Sequence, residues 1–527
     1  MPSSDKCASR RSDPIVVIGA GVGGLSAALS LAAAGERVLV LEKEAQPGGK
    51  MRQVDGVDAG PTVLTLAWVF EEIFAKAGTR LSDHVRLTRQ EVLARHFWRD
   101  GTVLDLFADP DKSAQAIRET SGDQGAREFR AFSDRARRLF DAFLGPMMLT
   151  PRPSLPRLVS TVLAQPRLMR DMGLGRSLEG LLRNSFTDPR LRQLFGRYAT
   201  YVGGDPSKTP ALYALIWHAE EQGVWAVDGG LSALAAAMSR QIEACGGEIR
   251  YDATVAEIET DGHAASGVRL HDDSRIKASR VIFNGDPRAL AVGALGNSVR
   301  SAVGRLAEKP RSLSARVWAF SAKVEGPPIC HHNVFFRSDP GPEFADIASG
   351  RATFDPTLYV CAEDRGGTLP PPARERFEII INAPPLSSQP PDTEDFAQCL
   401  TRTFETLRAF DVSFDRAPPA SALTTQAEFE TLFPASLGSL YGQSPHGFTS
   451  ALSRPTARSR IPGLYLCGGG VHPGPGVPMA ALSGTHAAGA IMQDQTSTSR
   501  SHPMAMRGGT STGSARTGNV PSRSSPS

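Results

Sequence analysis

The pattern of apolar and polar positions is most regular near the N-terminus, in the segment IVVIGAGVGGLSAALSLAAAGERVLVLE, residues 15–42. Four consecutive β-branched residues, Ile15–Ile18, predict a buried parallel strand. A run rich in Ala and Leu predicts a helix over about residues 23–34, with Gly35 as its C-terminal cap. A second apolar run at residues 37–41 predicts another strand. The segment is therefore expected to form one β-α-β unit.

Glycines connect the first predicted strand to its helix with the spacing G-x-G-x-x-G, at Gly19, Gly21 and Gly24. The first glycine allows a tight turn, the second lets a pyrophosphate approach the backbone, and the third lets the helix pack closely against the sheet. Glu42 ends the second strand, where a carboxylate accepts hydrogen bonds from ribose hydroxyls and repels a 2′-phosphate. The unit predicts binding of FAD or NAD, and an ordinary β-α-β turn without ligand is the alternative.

Two further segments favour FAD over NAD. A PGGK segment directly follows the acid, where a second loop would surround the pyrophosphate and ribitol of FAD. A GPT turn between a short strand and an apolar helix is expected beside the flavin ring, unless it is a plain turn. The cofactor contacts assigned to these segments are Gly48, Gly49, Lys50, Gly60, Pro61 and Thr62.

The C-terminal region repeats the order of strand, glycine-rich loop and helix. A strand at residues 464–467 runs into three glycines and a Pro/Gly loop, and a helix is predicted over about residues 478–491. A helix N-terminus behind such a loop offers a second site for a phosphate or for the flavin, so two loops fit the two ends of FAD. The cofactor contacts assigned here are Gly468, Gly469, Gly476 and Val477. Val255, on a predicted strand at residues 255–258, is assigned to the adenine edge.

The whole chain predicts an α/β fold, with a Rossmann-like FAD-binding domain that is discontinuous in sequence and an inserted mixed α+β substrate domain. Alternating strands, glycines and helices mark the first domain, whereas Arg-rich helical patterns and strands with Pro-rich loops mark the second. The FAD-binding domain is expected at residues 13–70, 223–289 and 454–493, and the substrate or membrane-facing domain at residues 71–222 and 290–453. Residues 1–12 are predicted to be a flexible N-terminus and residues 494–527 a disordered tail.

Composition excludes several functional classes. Of the 527 residues, 41% are hydrophobic and 21% are charged, as in ordinary globular proteins, and the net charge is only +3. No basic stretch is interleaved with aromatic residues, so nucleic acid is not an expected partner. The sequence shows neither a secretory signal nor a run of about 18 apolar residues, which predicts a cytoplasmic protein without a spanning helix.

Cysteine and histidine positions predict no metal site. The six cysteines are scattered without a CxxC pair, which indicates reduced thiols in a cytoplasmic protein. His331 and His332 have no acid or cysteine at ligand spacing in the sequence. We therefore interpret both histidines as residues that do not bind a metal.

Residues 154–183 combine an apolar stripe with many arginines. Such a basic amphipathic element suits the headgroup boundary of an anionic membrane. The alternative is a helix that faces the core and has one solvated side. The apolar stripe consists of Leu155, Leu158, Val159, Val162 and Leu163, and the surrounding cations are Arg152, Arg157, Arg167, Arg170 and Arg176.

Two tyrosines, Tyr198 and Tyr201, lie in the segment RYATYVGG between predicted helices. Aromatic side chains with polar tips are suited to line a channel and to hydrogen-bond a hydroxyl at its end. The alternative is that both are packing residues whose hydroxyls are satisfied within the protein.

With these segments in hand, the sequence resembles the bacterial phytoene-desaturase-type carotenoid desaturases, flavoproteins related to the amine oxidase superfamily. The segments GAGVGG, EKEAQPGGK, DAGPTVL, GVWAVDGG, IFNGDP and LYLCGGGVHPGPGVP follow the landmarks of that family in order. The local phrases ARHFWRDG, LFGRYATYVGG and IWHAEEQGVWA resemble a purple-bacterial subgroup of the family. The sequence departs from many relatives at Gly470 and Val471, which stand where many relatives have the segment Ala-Gly-Thr.

The resemblance implies FAD as the cofactor and a lipophilic carotenoid as the substrate. The subgroup introduces a 3,4 double bond into 1-hydroxy or 1-methoxy acyclic carotenoids during biosynthesis in photosynthetic bacteria. It also implies peripheral attachment to the cytoplasmic or chromatophore membrane face. A desaturase of phytoene or neurosporene is the alternative within this class. A non-redox isoprenoid carrier, similar in architecture to the Rab GDP-dissociation inhibitors, is the alternative outside it.

Carotenoid desaturation needs a proton acceptor only if the second hydrogen leaves as a proton. His472, in the VHPG segment beside the expected flavin loop, is the first titratable side chain there and is our candidate for this catalytic role. The alternative is that His472 only hydrogen-bonds the loop. The 1-hydroxyl of the substrate is expected to be recognised by Tyr198 or Tyr201.

Overall fold

A computed structural model describes residues 13–386, 394–447 and 449–500. The predicted flexible residues 1–12 and most of the predicted disordered tail, residues 501–527, lie outside the described residues. The described residues up to Ile491 belong to one compact unit. The division of this unit into FAD-binding and substrate segments therefore stays a prediction.

A five-stranded parallel sheet, the dinucleotide sheet, contains the first predicted strand at its centre. Its strands come from distant parts of the chain, and Val16 and Val17 in the central strand have no exposed surface. The β-branched runs suit this position because a parallel sheet is covered on both faces. From one edge to the other the strands are Leu464–Leu466, Arg280–Phe283, Ile15–Ile18, Val38–Leu41 and Glu248–Arg250.

Three helices of this layer were expected from the sequence, and they span Val22–Ala33, Leu231–Ala244 and Val477–Arg500. The last helix continues past residue 491, where the sequence pattern placed its end, and residues 494–500 of the predicted disordered tail are helical. The segment from Gln493 to Arg500 contains neither glycine nor proline, and nothing in it interrupts a helix.

The first and last of these helices cross in close contact. A Cβ atom placed on Gly484 would lie 2.1 Å from the carbonyl oxygen of Gly23 and 2.9 Å from the amide nitrogen of Ala27. Only glycine at position 484 lets the two backbones approach this closely. The contact joins the N-terminal and C-terminal ends of the compact unit.

A seven-stranded sheet, the second sheet, combines strands from both segments that were assigned to the substrate domain. One face carries aromatic and aliphatic side chains such as Trp318, Phe335 and Phe377, which form a core with a helix at Phe396–Arg408. In order across the sheet the strands are Leu423–Thr424, Ser314–Ala322, Glu375–Ala383, Leu358–Ala362, His332–Phe336, Val92–Trp98 and Val103–Phe107.

The remaining elements connect or cover these sheets. Three strands, Val255–Thr260, Ala265–Leu270 and Arg275–Lys277, form a small antiparallel sheet. Two-stranded pairs are Arg52–Val54 with Val57–Ala59, Leu87–Arg89 with Trp225–Val227, and Val324–Glu325 with Ser413–Phe414. The other α-helices are Trp68–Lys76, Pro110–Phe143, Leu155–Leu163, Pro166–Asp171, Leu178–Ser185, Pro189–Gly196, Leu215–Glu221, Arg288–Val292, Gly341–Ala348 and Gln426–Leu432.

The helix contact at Gly484 leads to a first prediction. Replacing Gly484 by Ala is expected to lower the free energy of unfolding by about 3 kcal/mol, because the added methyl group overlaps the Gly23 backbone. Gly489→Ala is the matched control, since a Cβ there meets nothing within 4 Å. The control is expected to change stability by about 1 kcal/mol at most, towards the more stable protein. Urea denaturation followed by circular dichroism measures both, and equal midpoints for the two variants would contradict the contact.

Candidate functional site

The first glycine turn leaves the N-terminus of the helix Val22–Ala33 open. Gly19 has a φ of 96°, and Gly21 is the N-cap residue, with no side chain hydrogen-bonded to the first turn. A Cβ on Gly24 would lie 2.1 Å from the Gly19 carbonyl oxygen. The first amide groups of this helix therefore present their N–H donors and the positive end of the helix dipole to a ligand.

The PGGK loop lies directly against this turn, as the sequence predicted for a second loop. The Gly48 amide donates a hydrogen bond to the Ala20 carbonyl over 2.9 Å, and Gly21 and Gly48 form an isolated parallel bridge. A Cβ on Gly49 would lie 3.1 Å from the Cα of Gly21. Because two backbones meet here without side chains between them, both loops line one shallow surface.

The C-terminal glycine loop contacts the same helix N-terminus. A Cβ on Gly23 would lie 2.7 Å from the amide nitrogen of Gly468, which itself donates to the Ser483 hydroxyl over 2.7 Å. Gly476 has a φ of 106° and precedes Val477, the first residue of the last helix. The turns from the two ends of the compact unit therefore form one site.

Asn284 joins the two turns and was not singled out from the sequence. Its Nδ2 donates to the Gly19 carbonyl oxygen over 3.1 Å, and its Oδ1 would lie 2.9 Å from a Cβ on Gly468. Asn284 follows the strand Arg280–Phe283, which lies between the two strands that precede the turns. Its position at the carboxyl end of that strand is the signal from which its role was predictable.

Glu42 lies at the expected place at the end of its strand. Its carboxylate accepts hydrogen bonds from the amides of Ala20, over 2.6 Å, and Glu44, over 3.0 Å. Burial raises the pKa of Glu42, and these two backbone donors oppose the shift. The Ala253 amide donates to the Glu42 carbonyl over 2.8 Å, so the strand that begins at Val255 starts nearby.

Lys50 is buried behind the second loop. Its Nζ donates to the Leu440 carbonyl and lies 5.1 Å from the centre of the Phe433 ring. Burial lowers the pKa of Lys50 to about 8, and the charge of Asp286 opposes this shift. Asp286 also forms a buried ion pair with Arg311. The second loop therefore packs against three charged side chains, those of Lys50, Asp286 and Arg311.

These features fit a dinucleotide whose two ends contact the two glycine turns. The helix N-terminus carries no competing side-chain cap, and a side chain at Gly21 or Gly23 would collide with Asn284 or Gly468. A carboxylate stands at the ribose position expected from the fingerprint. The site is therefore shaped by backbone atoms, as pyrophosphate binding requires.

The GPT turn connects this site to the second sheet. The Gly60 amide donates to the Glu378 carboxylate over 2.7 Å, and the Thr62 hydroxyl hydrogen-bonds the Tyr359 side chain. Tyr359 in turn lies 2.6 Å from Nδ1 of His332. The turn predicted beside the flavin thus rests on the polar face of the second sheet.

Tyr198 and Tyr201 lie in a buried polar cluster and both hydroxyls have partners in the protein. The Tyr198 hydroxyl donates to Glu220 over 2.9 Å, and Nη1 of Arg197 donates to the Tyr201 hydroxyl over 2.9 Å. The Arg197 guanidinium also lies 5.5 Å and 5.0 Å from the centres of the two rings. Sequence reasoning missed Arg197 and Glu220, although Arg197 stands next to Tyr198.

Arg197 forms part of the wall of a cavity of about 1290 Å³. The cavity lies between the helical segment and the edge of the second sheet, and Thr200, Trp98 and Phe336 also line it. Neither tyrosine lines the cavity, and none of its lining residues belongs to the glycine turns. Nε and Nη2 of Arg197 are buried without a hydrogen-bond partner among the described residues. Arg197 therefore contacts both the cavity and the two tyrosines, and it separates them from each other.

His472 lies between the C-terminal loop and the helical segment. Its Nε2 is 2.9 Å from the Thr150 carbonyl oxygen, which identifies Nε2 as the protonated nitrogen and leaves Nδ1 as the acceptor. Nδ1 is buried without a hydrogen-bond partner among the described residues. Burial lowers the pKa of His472, so the ring is neutral near pH 7.

His331 and His332 have a cysteine neighbour in space. Strand pairing places Cys361 directly opposite His332, and the Cys361 sulfur lies 4.0 Å from Nε2 of His331. The absence of a cysteine at ligand spacing in the sequence therefore does not mean that none lies beside these histidines in the structure. The sequence concealed it because the partner comes from the neighbouring strand of the sheet.

The Arg-rich segment forms short helices whose apolar side chains face outwards. Leu155 is 61% exposed and Leu163 is 66% exposed, whereas Leu158 is buried. The expected arginines are all exposed. The alternative of a helix facing the core is therefore wrong for most of the stripe. Across residues 13–386, 394–447 and 449–500, no helix is long and apolar enough to cross a bilayer.

Comparisons with known proteins give matches over most of the chain. A family model described as flavin containing amine oxidoreductase matches residues 22–364. The hydroxyneurosporene desaturase of Cereibacter sphaeroides is 51% identical over 92% of this chain and 99% of its own length. The hydroxyneurosporene desaturase of Rhodobacter capsulatus is 46% identical over 93% of this chain and 100% of its own length.

A solved structure of putrescine oxidase bound to putrescine superimposes with a TM-score of 0.57. The match covers 91% of this chain and 99% of that chain at 15% sequence identity. At this identity the likeness concerns the fold alone.

Proposed function

Because the chain belongs to the flavin-containing amine oxidoreductase family, we propose that it is an FAD-dependent carotenoid 3,4-desaturase acting on 1-hydroxy or 1-methoxy acyclic carotenoids. The observation that carries this proposal is the contact between the two glycine turns at Gly23 and Gly468, which makes one site from both ends of the compact unit. The identities of 51% and 46% to two hydroxyneurosporene desaturases support the choice of substrate.

In this proposal the chain holds FAD mainly through its backbone. The open N-terminus of the helix Val22–Ala33 and the PGGK loop bind the pyrophosphate, and Glu42 binds the ribose. Val255 stands at the adenine edge, and the turns at Gly60–Thr62 and Gly468–Gly476 border the flavin. Desaturation removes two hydrogens from adjacent carbons, and bound FAD supplies the two-electron acceptor for them. The protein contributes orientation, which is worth about 7–11 kcal/mol in favourable cases.

The activity itself is the first test of this proposal. Full-length protein incubated with FAD and 1-hydroxyneurosporene is expected to give a product two hydrogens lighter, measured by mass spectrometry, with the polyene absorption moved to longer wavelength. Phytoene is the control substrate and is expected to stay unchanged. Conversion of phytoene instead of the hydroxylated carotenoid would identify a carotene desaturase. Protein that never takes up FAD, judged by flavin absorbance after gel filtration, would identify a carrier.

Recognition of the substrate hydroxyl is assigned to the Arg197 and tyrosine cluster. Arg197 lines the cavity, and its two buried nitrogens Nε and Nη2 have no hydrogen-bond partner in the described part of the chain. Tyr201 and Tyr198 fix the orientation of its guanidinium. A hydroxyl that enters the cavity then satisfies a donor that is otherwise buried without a partner. In this arrangement the tyrosines act on the substrate through Arg197.

The double variant Tyr198→Phe/Tyr201→Phe is expected to reduce the preference for hydroxylated over plain neurosporene by about tenfold, because losing a hydrogen bond costs about 1–1.5 kcal/mol. The preference is measured as the ratio of the two kcat/KM values. Tyr213→Phe, which lies outside this cluster, is the control and should keep the ratio. An unchanged ratio in the double variant would remove the tyrosines from substrate recognition.

His472 is proposed as the proton acceptor, through Nδ1. Glutamine retains a donor for the Thr150 carbonyl and removes the base, so His472→Gln is expected to slow single-turnover flavin reduction about 100-fold without changing FAD affinity. Because burial lowers the pKa of His472, the wild-type rate should fall only as pH drops below the usual imidazole range. His486→Gln, whose ring lies 6.0 Å away, is the control. A rate within twofold of wild type would leave His472 with a hydrogen-bonding role only.

Peripheral membrane binding, on the cytoplasmic or chromatophore face, is proposed for the Arg-rich helices. Exposed apolar side chains, Leu155 and Leu163 on the helix Leu155–Leu163 and Met169 on the helix Pro166–Asp171, lie beside exposed arginines. This combination matches the apolar interior and anionic surface of such a membrane. A lipophilic substrate would enter from the same membrane.

Changing Arg157, Arg167 and Arg170 to Glu is expected to reduce flotation with anionic liposomes at least tenfold, because each basic residue near the surface contributes about 1 kcal/mol. The matched control changes three exposed arginines elsewhere, Arg240, Arg275 and Arg300, to Glu and carries the same net charge. Equal flotation of the two triple variants would show that the Arg-rich helices are not the membrane-binding surface.

A further inference from the structure

A group of three potential metal ligands lies on the polar face of the second sheet. His331, His332 and Cys361 each offer one ligand atom, and these atoms all lie within 4.8 Å of one another. The three side chains are buried, at 8%, 1% and 3% exposure. Among the residues that the structure describes, this is the group that brings nitrogen and sulfur ligands together.

The hydrogen bonds of His331 leave one nitrogen available. Its Nδ1 lies 2.9 Å from the Ala362 carbonyl oxygen, so Nδ1 carries the proton and Nε2 presents its lone pair. Metal-binding histidines commonly use this arrangement, in which a backbone carbonyl fixes the ring through its other nitrogen. The lone pair of Nε2 lies 4.0 Å from the Cys361 sulfur.

A buried nitrogen of His332 is a separate indication that a ligand binds here. Its Nδ1 lies 2.6 Å from the Tyr359 hydroxyl, whereas Nε2 is buried without a hydrogen-bond partner in the described part of the chain. A buried imidazole nitrogen without a partner is costly, and the weak contact between His331 and Cys361 does not relieve it. A cation coordinated by Nε2 would give this nitrogen a partner, with Nδ1 donating its proton to the Tyr359 hydroxyl.

A buried carboxyl group lies beside the three side chains. Cys361 pairs across the strands with Glu378, whose Oε2 is buried and has no hydrogen-bond partner in the described ranges. Burial raises the pKa of Glu378, and a bound cation would favour its ionised form, which offsets part of the charge of the ion. The positive charge of Arg197, which also acts on His332, opposes this effect.

We propose that His331, His332 and Cys361 form a binding site for a soft or borderline metal cation such as Zn²⁺. Two imidazole nitrogens and one thiolate are ligands that suit this class of ion. Zinc bonds of about 2.0–2.3 Å require the ligand atoms to draw together by about 1 Å, which side-chain rotation provides. Binding forms a metal–sulfur bond and releases the thiol proton of Cys361 to solvent.

An ion in this site links elements that surround the expected flavin. His332 and Cys361 lie on adjacent strands, and His332 is connected through Tyr359 to Thr62 of the GPT turn. Bound metal would therefore fix the sheet face against which that turn rests. The inference does not depend on the substrate or on the desaturase activity.

Zinc content of the full-length protein tests the site. Protein with bound FAD and reduced cysteine thiols is incubated with excess Zn²⁺ and dialysed. Its zinc content is then measured by inductively coupled plasma mass spectrometry. Wild type is expected to retain about one zinc per chain more than Cys361→Ser or His332→Gln. Cys399→Ala removes another buried cysteine and is expected to retain the wild-type amount. Equal zinc retention by wild type and by either ligand variant would overturn the proposal.

Cobalt substitution gives a readout that does not depend on the variants folding. Co²⁺ bound to a thiolate produces a charge-transfer absorption, recorded as a difference spectrum against the metal-free protein. The band is expected in wild type and in Cys399→Ala, and its absence from wild type would overturn the proposal. Circular dichroism identifies which ligand variants are folded, and only these are compared. Loss of the band in a folded Cys361→Ser variant supports the site.

Discussion

The structure depends on a contact between backbones that carry no side chains. Gly23 in the first helix meets Gly468 in the C-terminal loop and Gly484 in the last helix, and at each point a Cβ atom would overlap a neighbouring backbone atom. Sheet order makes the contact possible, because the strands before the two turns are separated only by Arg280–Phe283. Asn284 extends from that middle strand to bond the first turn. The cofactor site is thus built from atoms that every residue has, arranged in a way that only glycine permits.

The second sheet uses its two faces for different purposes. One face is an aromatic and aliphatic core, while the other carries Glu378, Cys361 and His332 towards the GPT turn. Burial raises the pKa of Glu378, and the hydrogen bond that its carboxylate accepts from the Gly60 amide opposes this shift. Burying so many polar groups lowers stability compared with an apolar surface. Such groups are typical of functional sites, where position matters more than stability.

The fold class, the family and FAD as cofactor were predictable from the sequence and are confirmed. Local patterns sufficed for these, because a run such as Ile15–Ile18 and the glycine spacing after it are determined by neighbours in the chain. The end of the last helix was misplaced, since polar residues after Gln493 resemble a tail in composition while remaining compatible with a helix.

Parts of the site that depend on distant residues were not predictable. Arg197 and Glu220 are brought to the tyrosines by packing of separate helices, and Cys361 is brought to His332 by the register of two strands. No spacing rule in one sequence contains that information. The roles assigned to His472 and to the tyrosines stay predictions, and their contacts define which atoms remain available for them.

The interlock between the two ends of the compact unit has a consequence for biosynthesis. A ribosome makes the first helix long before Gly468 and Gly484, which follow it only after both sheets have been translated. Until then half of the nucleotide-binding surface does not exist, and the nascent chain must hold its first β-α-β unit without its final neighbour. Both turns of the site are therefore present only after the C-terminal loop has been made, and a chain that ends before Gly468 lacks one of them.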